Sequence, residues 1–203
     1  MYVLGLGGSP REGGNTDLLL ERALAGAAQA GAQVEKVILN RLHLTPCQHC
    51  DGCRQTGQCI IEDDLQGLYP KLKKAEGLIL ASPIFFLGVT AQTKILIDRC
   101  QAFWAAKYLL GHRWRTRDGQ PRRGLFISVS AHPCPDHFPP AIATVKAFFA
   151  TLDVIYAEEL LFPGVGEKGA IVRHPTALQE AFAAGQRLVT GIQDAGGKRS
   201  HKP

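Results

Sequence analysis

Four of the six cysteines fall within one short stretch, Cys47-Gln48-His49-Cys50-Asp51-Gly52-Cys53-Arg54-Gln55-Thr56-Gly57-Gln58-Cys59, with the spacing C-x2-C-x2-C-x5-C. Three thiols at such close intervals, with glycines for tight turns, can wrap one compact polynuclear centre. Structural zinc sites more often use two C-x2-C pairs held apart by a longer loop, although His49 can replace a thiolate in such a site. Cys50 and Cys53 also form a C-x2-C dithiol, a spacing that lowers thiol pKa values. Cys100 and Cys134 stand apart from the group and read as packing residues. Clustered cysteines of this kind point to metal or redox chemistry rather than to a disulfide framework.

A second chemical signal follows the first apolar run: Gly8-Ser9-Pro10-Arg11-Glu12-Gly13-Gly14-Asn15-Thr16, with a helical pattern beginning at once. A dinucleotide fingerprint would need G-x-G-x-x-G, but the run from Gly5 puts Pro10 at the third glycine position, and Asn40 stands where an acid should close the second strand. A Walker loop fits Gly8 and Gly13, yet Gly14-Asn15 replaces the required Lys-Ser/Thr pair, which disfavours ATP and GTP chemistry. A simple phosphate cradle fits better. The hydroxyls of Ser9 and Thr16, the Asn15 amide, backbone N–H groups and a helix N-terminus can surround a dianionic phosphate, with Arg11 as counter-charge. The plainer alternative is a glycine-rich turn capped by Asn15, which explains the glycines but not the Ser-Pro-Arg beside them.

The elements that position these groups alternate. Apolar runs at residues 2–7, 34–39, 77–81, 124–131 and 154–161 read as strands, and amphipathic stretches at 16–31, 65–75, 89–107, 139–152 and 176–192 as helices. Alternation of this kind predicts a parallel sheet covered on both faces. Five strands suit a flavodoxin-like three-layer α/β sandwich of order 2-1-3-4-5, with the ligand crevice where strands 1 and 3 diverge. Residues 1–193 then form a single domain with a cysteine-rich insertion at about 41–63 after strand 2, and residues 194–203 a flexible basic tail. Glu62-Asp63-Asp64 would open the helix after the insertion, at its positive end.

The loop G-S-P-R-x-x-G-N-T resembles the FMN phosphate loop of the NADPH-dependent FMN reductase superfamily. Ser82-Pro83-Ile84-Phe85-Phe86, followed by Ala91-Gln92-Thr93-Lys94 and Ile97-Asp98-Arg99, is similar to that family's second signature. The resemblance spans roughly the first hundred residues. It implies FMN as cofactor, with Ser9, Arg11, Asn15 and Thr16 at the phosphate and Pro83, Ile84, Phe85 and Phe86 around the isoalloxazine ring. Relatives commonly carry Tyr where this chain has Phe85, so a hydroxyl contact is missing. Ser130, in Ser130-Ala131-His132-Pro133-Cys134, falls in the loop expected as the third wall of the crevice. The cysteine segment resembles the compact motif of the iron–sulfur flavoproteins, a branch of the same family. It implies a 4Fe-4S cluster on Cys47, Cys50, Cys53 and Cys59.

Composition sets the remaining bounds. The chain has 203 residues, enough for one well-buried core, and is 45% hydrophobic and 20% charged. No apolar run is long enough to span a membrane, and the first residues carry no signal-peptide pattern, so a cytoplasmic location is expected. The net charge of +5 sits largely in Arg113, Arg115, Arg117, Arg122 and Arg123 and in the tail Lys198-Arg199-Ser200-His201-Lys202. This reads as a solvated loop and a frayed end, with no nucleic-acid motif beside it. A homodimer or larger homo-oligomer is expected, with residues 89–114 and their aromatics Phe103, Trp104, Tyr108 and Trp114 at the contact. No acid–base catalyst stands out; His132 reads as a loop histidine. Three functions remain: an FMN oxidoreductase with a cluster relaying electrons from ferredoxin or NAD(P)H, a cluster-free NAD(P)H-dependent flavin or quinone reductase, and a non-enzymatic electron carrier or redox sensor.

Overall fold

A computed structural model of the chain describes residues 1–116 and 119–197. The element order is β1 (Tyr2–Gly7), α1 (Asn15–Gln29), β2 (Gln33–Ile38), α2 (Leu65–Lys74), β3 (Gly77–Ala81), α3 (Ala91–Arg99), α4 (Gln101–Tyr108), β4 (Arg122–Val129), α5 (Pro139–Thr151), β5 (Val154–Phe162) and α6 (Ala177–Gly197). The five strands are parallel and run β2-β1-β3-β4-β5, the expected order. Every residue of β1 and β3 is buried, as strands covered on both faces require, whereas at the edges β2 has no buried residue and β5 mixes buried with exposed ones.

Two apolar layers hold the sheet. Leu19, Leu20, Ala23 and Leu24 of α1 and Ala181, Ala184, Leu188 and Val189 of α6 cover one face. Leu68 and Leu72 of α2, Leu96 of α3, Phe103 of α4 and Phe148 and Phe149 of α5 cover the other. Helices α1 and α6 cross at glycines: a Cβ on Gly26 would lie 1.9 Å from the Phe182 carbonyl oxygen, and one on Gly185 1.9 Å from that of Ala23. Among the described residues no helix is long and apolar enough to cross a membrane.

Three expectations change. The helix expected over 89–107 is broken at Cys100 into α3 and α4. The Tyr69 hydroxyl donates to the Arg99 carbonyl at 3.0 Å, taking the acceptor that a continuous helix would offer four residues on. The closing helix runs to Gly197, past Ile192, and the rest of the tail lies outside the described residues. The third change concerns the basic stretch. Arg117 also lies outside the described residues, but Arg122 does not belong to a solvated loop at all: it opens β4 and is 1% exposed.

Its guanidinium donates from Nε to the Ala75 carbonyl at 2.6 Å, from Nη1 to that of Leu152 at 2.9 Å, and from Nη2 to that of Leu72. These carbonyls end α2 and α5, where unpaired acceptors and the negative end of the helix dipole gather. Burial pulls the Arg122 pKa down to about 10, which still leaves a cation at neutral pH. Arg122→Met should therefore strand three buried carbonyls and destabilise the fold by about 2–4 kcal/mol. Urea unfolding should show a lower midpoint with an unchanged slope; an unchanged midpoint would mean that the two helix ends do not depend on this side chain.

Candidate functional site

Strands β1 and β3 end side by side, Gly7 opposite Ala81, and their following loops part to opposite faces of the sheet. The first loop is stitched to the second at its base. Gly8 donates its N–H to the Ala81 carbonyl at 2.8 Å, and its own carbonyl accepts from the Thr90 hydroxyl at 2.6 Å. Thr90 also caps α3, accepting from the Thr93 N–H, and its Oγ1 lies 2.9 Å from Thr93 Oγ1. A Cβ on Gly8 would stand 1.9 Å from Thr93 Oγ1, so only glycine fits.

Beyond Gly8 the loop turns on Ser9, whose Oγ accepts from the Arg11 N–H at 3.1 Å. The N-cap of α1 is Gly14, in extended conformation and with no side-chain cap, rather than Asn15. The first turn of α1 is thereby left to face the crevice. The Asn15 carboxamide is committed elsewhere, donating to the Glu167 carbonyl at 2.8 Å and accepting from the Ile171 N–H at 3.1 Å. It draws the loop after β5 over the helix N-terminus.

Ser9, Arg11, Asn15, Thr16, Pro83, Ile84 and Phe85 line one crevice of about 170 Å³, together with Val165, Gly166 and Lys168 from the loop after β5. The last three residues escaped the sequence reading. The glycine-rich run Pro163-Gly164-Val165-Gly166-Glu167-Lys168-Gly169 past a strand's carboxyl end was the signal that could have found them. Ser130 does not line the crevice. It is buried in the wall between Val129 and Ala131, which do, and its carbonyl accepts from the Val165 N–H at 2.8 Å. Phe86 is also absent from the lining: it stands fully exposed at a turn.

Charge around the loop is sorted. Glu12 accepts a fork of two bonds from Arg41, each 2.6 Å, and Asp17 accepts the Gly13 N–H at 2.8 Å and meets Lys36 at 2.5 Å. Both nearby acids are thus neutralised. Arg11 and Lys168 make no ion pair among the described residues, which leaves two cations and an uncapped helix end facing the crevice. A phosphate dianion matches that set.

The segment after β3 continues alongside β4. Ser82 and Ile84 donate N–H groups to the Ile127 and Val129 carbonyls at 3.0 and 2.9 Å, and Ser128 Oγ donates to the Ser82 carbonyl at 2.7 Å. Phe85 and Gly88 then exchange two backbone bonds around a tight turn with Phe86 and Leu87 at φ 48° and 64°. This arrangement offers an apolar wall from Pro83, Ile84 and Phe85, with backbone polar groups beside it, as a flavin ring needs. His132 is exposed, accepts the Cys134 N–H on Nδ1 at 3.1 Å, and stacks on His137.

The cysteine segment lies at the other end of α3. Residues 42–64 carry neither helix nor strand. Cys47, Cys50, Cys53 and Cys59 line one cavity of about 250 Å³ with Arg99 and Trp104, and all four are free thiols. Burial pushes the Cys53 thiol pKa up, and the neighbouring Cys59, Cys47 and Cys50 thiols push it the same way. The backbone curls through His49 and Asp51, at φ 50° and 58°, so the left-handed positions here are not glycines. Among the described residues no three His, Cys, Asp or Glu side chains converge tightly enough to hold a single metal ion. The four thiols share the lining of this cavity without such convergence.

The acids expected to serve the dipole of α2 anchor this segment. Asp63 pairs with buried Arg99, and Asp64 accepts the His43 N–H at 2.7 Å. Cys100 is buried, as packing requires, while Cys134 is half-buried.

Replacing Arg11 or Lys168 by Ala should weaken FMN binding about ten- to a hundredfold each, the size of one charge-assisted hydrogen bond. Riboflavin, which lacks the phosphate, should bind each variant nearly as well as the unmodified protein in a flavin-fluorescence titration. Equal losses for both flavins would put these cations away from the phosphate.

Comparison with known proteins agrees with this layout. Over 99 residues the chain is 46% identical to an iron-sulfur flavoprotein of Methanocaldococcus jannaschii, covering 49% of this chain and 51% of that one. Over 106 residues it is 39% identical to an iron-sulfur flavoprotein of Archaeoglobus fulgidus, covering 52% and 54%. The chain thus spans about half the length of the curated relatives it matches. Among solved structures a flavone reductase has the same fold, with a TM-score of 0.69 at 22% identity, covering 100% of this chain and 66% of that one. Residues 1–132 match the family described as NADPH-dependent FMN reductase, and the chain belongs to that family.

Proposed function

We propose that this chain is an FMN-dependent oxidoreductase in which a 4Fe-4S cluster on Cys47, Cys50, Cys53 and Cys59 exchanges single electrons with the flavin. The observation that carries the reading is the placement of α3. Thr93, at its start, packs against Gly8 at the floor of the phosphate loop, and Arg99, at its end, lines the cysteine cavity. They stand six positions apart, about 9 Å along a helix axis. The floor of the crevice and the cysteine cavity thus adjoin opposite ends of one short helix, which supports exchange between a flavin bound in the first and a cluster in the second. FMN supplies the interchange between two-electron and one-electron chemistry, and the cluster accepts or donates one electron at a time.

The chain's own groups do the binding and positioning. Arg11, Lys168 and the first turn of α1 hold the phosphate, with the Ser9 and Thr16 side chains beside it. Pro83, Ile84 and Phe85 cover the ring, and Ser130 and Asn15 fix the loop that closes the crevice. Among the described residues no side chain lining the crevice is placed as a proton donor, so Pro83, Ile84 and Phe85 would hold the flavin, and the flavin would supply the hydride chemistry were NAD(P)H the reductant. Ferredoxin as donor would instead approach the cysteine cavity. Trp104, Tyr108, Leu109 and Leu110 are the exposed apolar surface suited to a second copy of the chain, whereas Phe103 and Trp114 pack against each other in or beside the core.

The cluster-free NAD(P)H-dependent flavin or quinone reductase is the second reading, favoured by the lack of tight thiol convergence. Anaerobically purified protein decides between them. The cluster reading expects iron and acid-labile sulfide in addition to FMN, with a broad visible absorption beneath the flavin bands. Cys53→Ser should remove that absorption and leave the flavin, because the flavin loops do not rest on the insertion. FMN without iron would leave the reductase reading alone, and zinc with no sulfide would make the cysteine site structural.

A further inference from the structure

Arg99 is 1% exposed and reaches from the end of α3 beneath the cysteine segment. Its Nη1 donates to the Thr45 carbonyl at 2.7 Å and to Asp63 Oδ2 at 2.6 Å; its Nη2 donates to the Ile61 carbonyl at 3.2 Å and to Asp63 Oδ1 at 3.1 Å. Thr45 lies two residues before Cys47, and Ile61 two residues after Cys59. The guanidinium therefore ties together the two feet of the segment. Asp63 completes the knot by accepting the Thr45 N–H at 2.8 Å.

One donor is left over. Arg99 Nε is buried with no hydrogen-bond partner, although the side chain lines the cysteine cavity. An unsatisfied buried donor on a charged group is costly, and few are retained without a purpose. The Cys59 thiol stands beside both Arg99 and Tyr69. The Tyr69 hydroxyl is already spent on the Arg99 carbonyl, so the Nε–H is the donor still available to that sulfur. A neutral thiol is a weak acceptor, but a sulfur carrying negative charge as a ligand is a strong one.

We propose that Arg99 is the positioning and tuning residue of Cys59, with its Nε–H held as the hydrogen-bond donor to that sulfur when the sulfur serves as a ligand. The inference rests on the cluster reading given above. The Nη groups set where the segment stands, and the Nε–H sets how well the centre bears an added electron. Hydrogen bonds to ligating sulfurs favour the reduced, more negative state and raise the potential.

The test uses full-length protein reconstituted with ferrous iron and sulfide, with the cluster potential read by EPR-monitored titration. Arg99→Lys keeps the charge but has no Nε–H. It should shift the oxidised-to-reduced ratio about tenfold toward oxidised at a fixed applied potential, a lowering of about 59 mV. Thr56→Ala, which breaks the turn bond to the Gln58 N–H just before Cys59, controls for loosening of the segment and should leave the potential unchanged. Equal potentials for Arg99→Lys and the parent overturn the inference and spare the cluster reading. So does an equal shift in Thr56→Ala, which would make loop order the cause. Failure of the parent protein to take up iron and sulfide overturns both together.

Should Arg99→Lys not assemble, a second measurement decides. Protein labelled with ¹⁵Nε-arginine, in an Arg54→Lys background because Arg54 also lines the cavity, should show a ¹⁵N coupling to the reduced centre by pulsed EPR. No such coupling would reduce Arg99 to a structural clamp.

Discussion

The divergence of the loops after β1 and β3 is the constraint on which this molecule depends. In the order β2-β1-β3-β4-β5 the chain leaves β1 toward the α1–α6 face and β3 toward the opposite one, so the carboxyl ends of these two strands open into a crevice. What the side chains decide is whether the crevice stays narrow and polar at its floor. Gly8 does this by lying close enough to both Ala81 and Thr93 that backbone and hydroxyl groups from three segments share one small network. Through Thr90 and Thr93 the same network fixes the start of α3, and through α3 it fixes where Arg99 meets the cysteine segment. Asn40 adds a second tie, bonding the Pro10 carbonyl and accepting from Gln92 just before the insertion begins.

Two buried guanidinium groups organise the α2–α5 side of the sheet in different ways. Arg122 satisfies three helix-terminal carbonyls and among the described residues makes no ion pair, the Asp153 and Glu76 carboxylates acting on its charge only through space. Arg99 is matched by Asp63 in a bidentate pair, and its remaining bonds go to the feet of an irregular segment. The first arrangement serves packing, because the ends of α2 and α5 would otherwise bury unpaired acceptors. The second serves a segment that has no regular hydrogen bonding of its own and must borrow anchorage from the domain.

Strand order, the irregular stretch after β2 and the crevice-lining Ser9, Arg11, Asn15 and Thr16 were legible because they rest on local pattern: short apolar runs, cysteine spacing, and glycines at a strand-to-helix junction. Arg122 was misread because a buried guanidinium and a surface one look alike in a chain; only the helix ends that surround it, far off in sequence, tell them apart. The break at Cys100 was hidden for the same reason, since Tyr69 lies 30 residues from the carbonyl it takes. Lys168, Val165 and Gly166 enter the crevice by a loop that Asn15 draws in from more than 150 residues away. Asn15 itself was read as a local cap or phosphate ligand, and its long-range carboxamide bonds could not be inferred from its neighbours.

The distribution of backbone strain supports placing function at these two sites. Five non-glycine residues among those described adopt positive φ: His49, Asp51, Phe86, Leu87 and Asp153. Two belong to the cysteine segment and two to the turn beside the crevice wall. Asp and His tolerate the left-handed region better than most residues, but Phe and Leu at two consecutive positions of a tight turn do not. Such a turn would relax with Asn-Gly, and its apolar tip would be better hidden. Both costs persist at Phe86 and Leu87, where Phe86 is fully exposed and Leu87 about half exposed. Strain of this order is retained only where neighbouring bonds over-determine the geometry, here the paired Phe85 and Gly88 bonds and the Ile84 bond to β4. The turn is held beside the crevice wall by these bonds rather than as a connection of least energy, and of its residues Phe85 reaches the crevice.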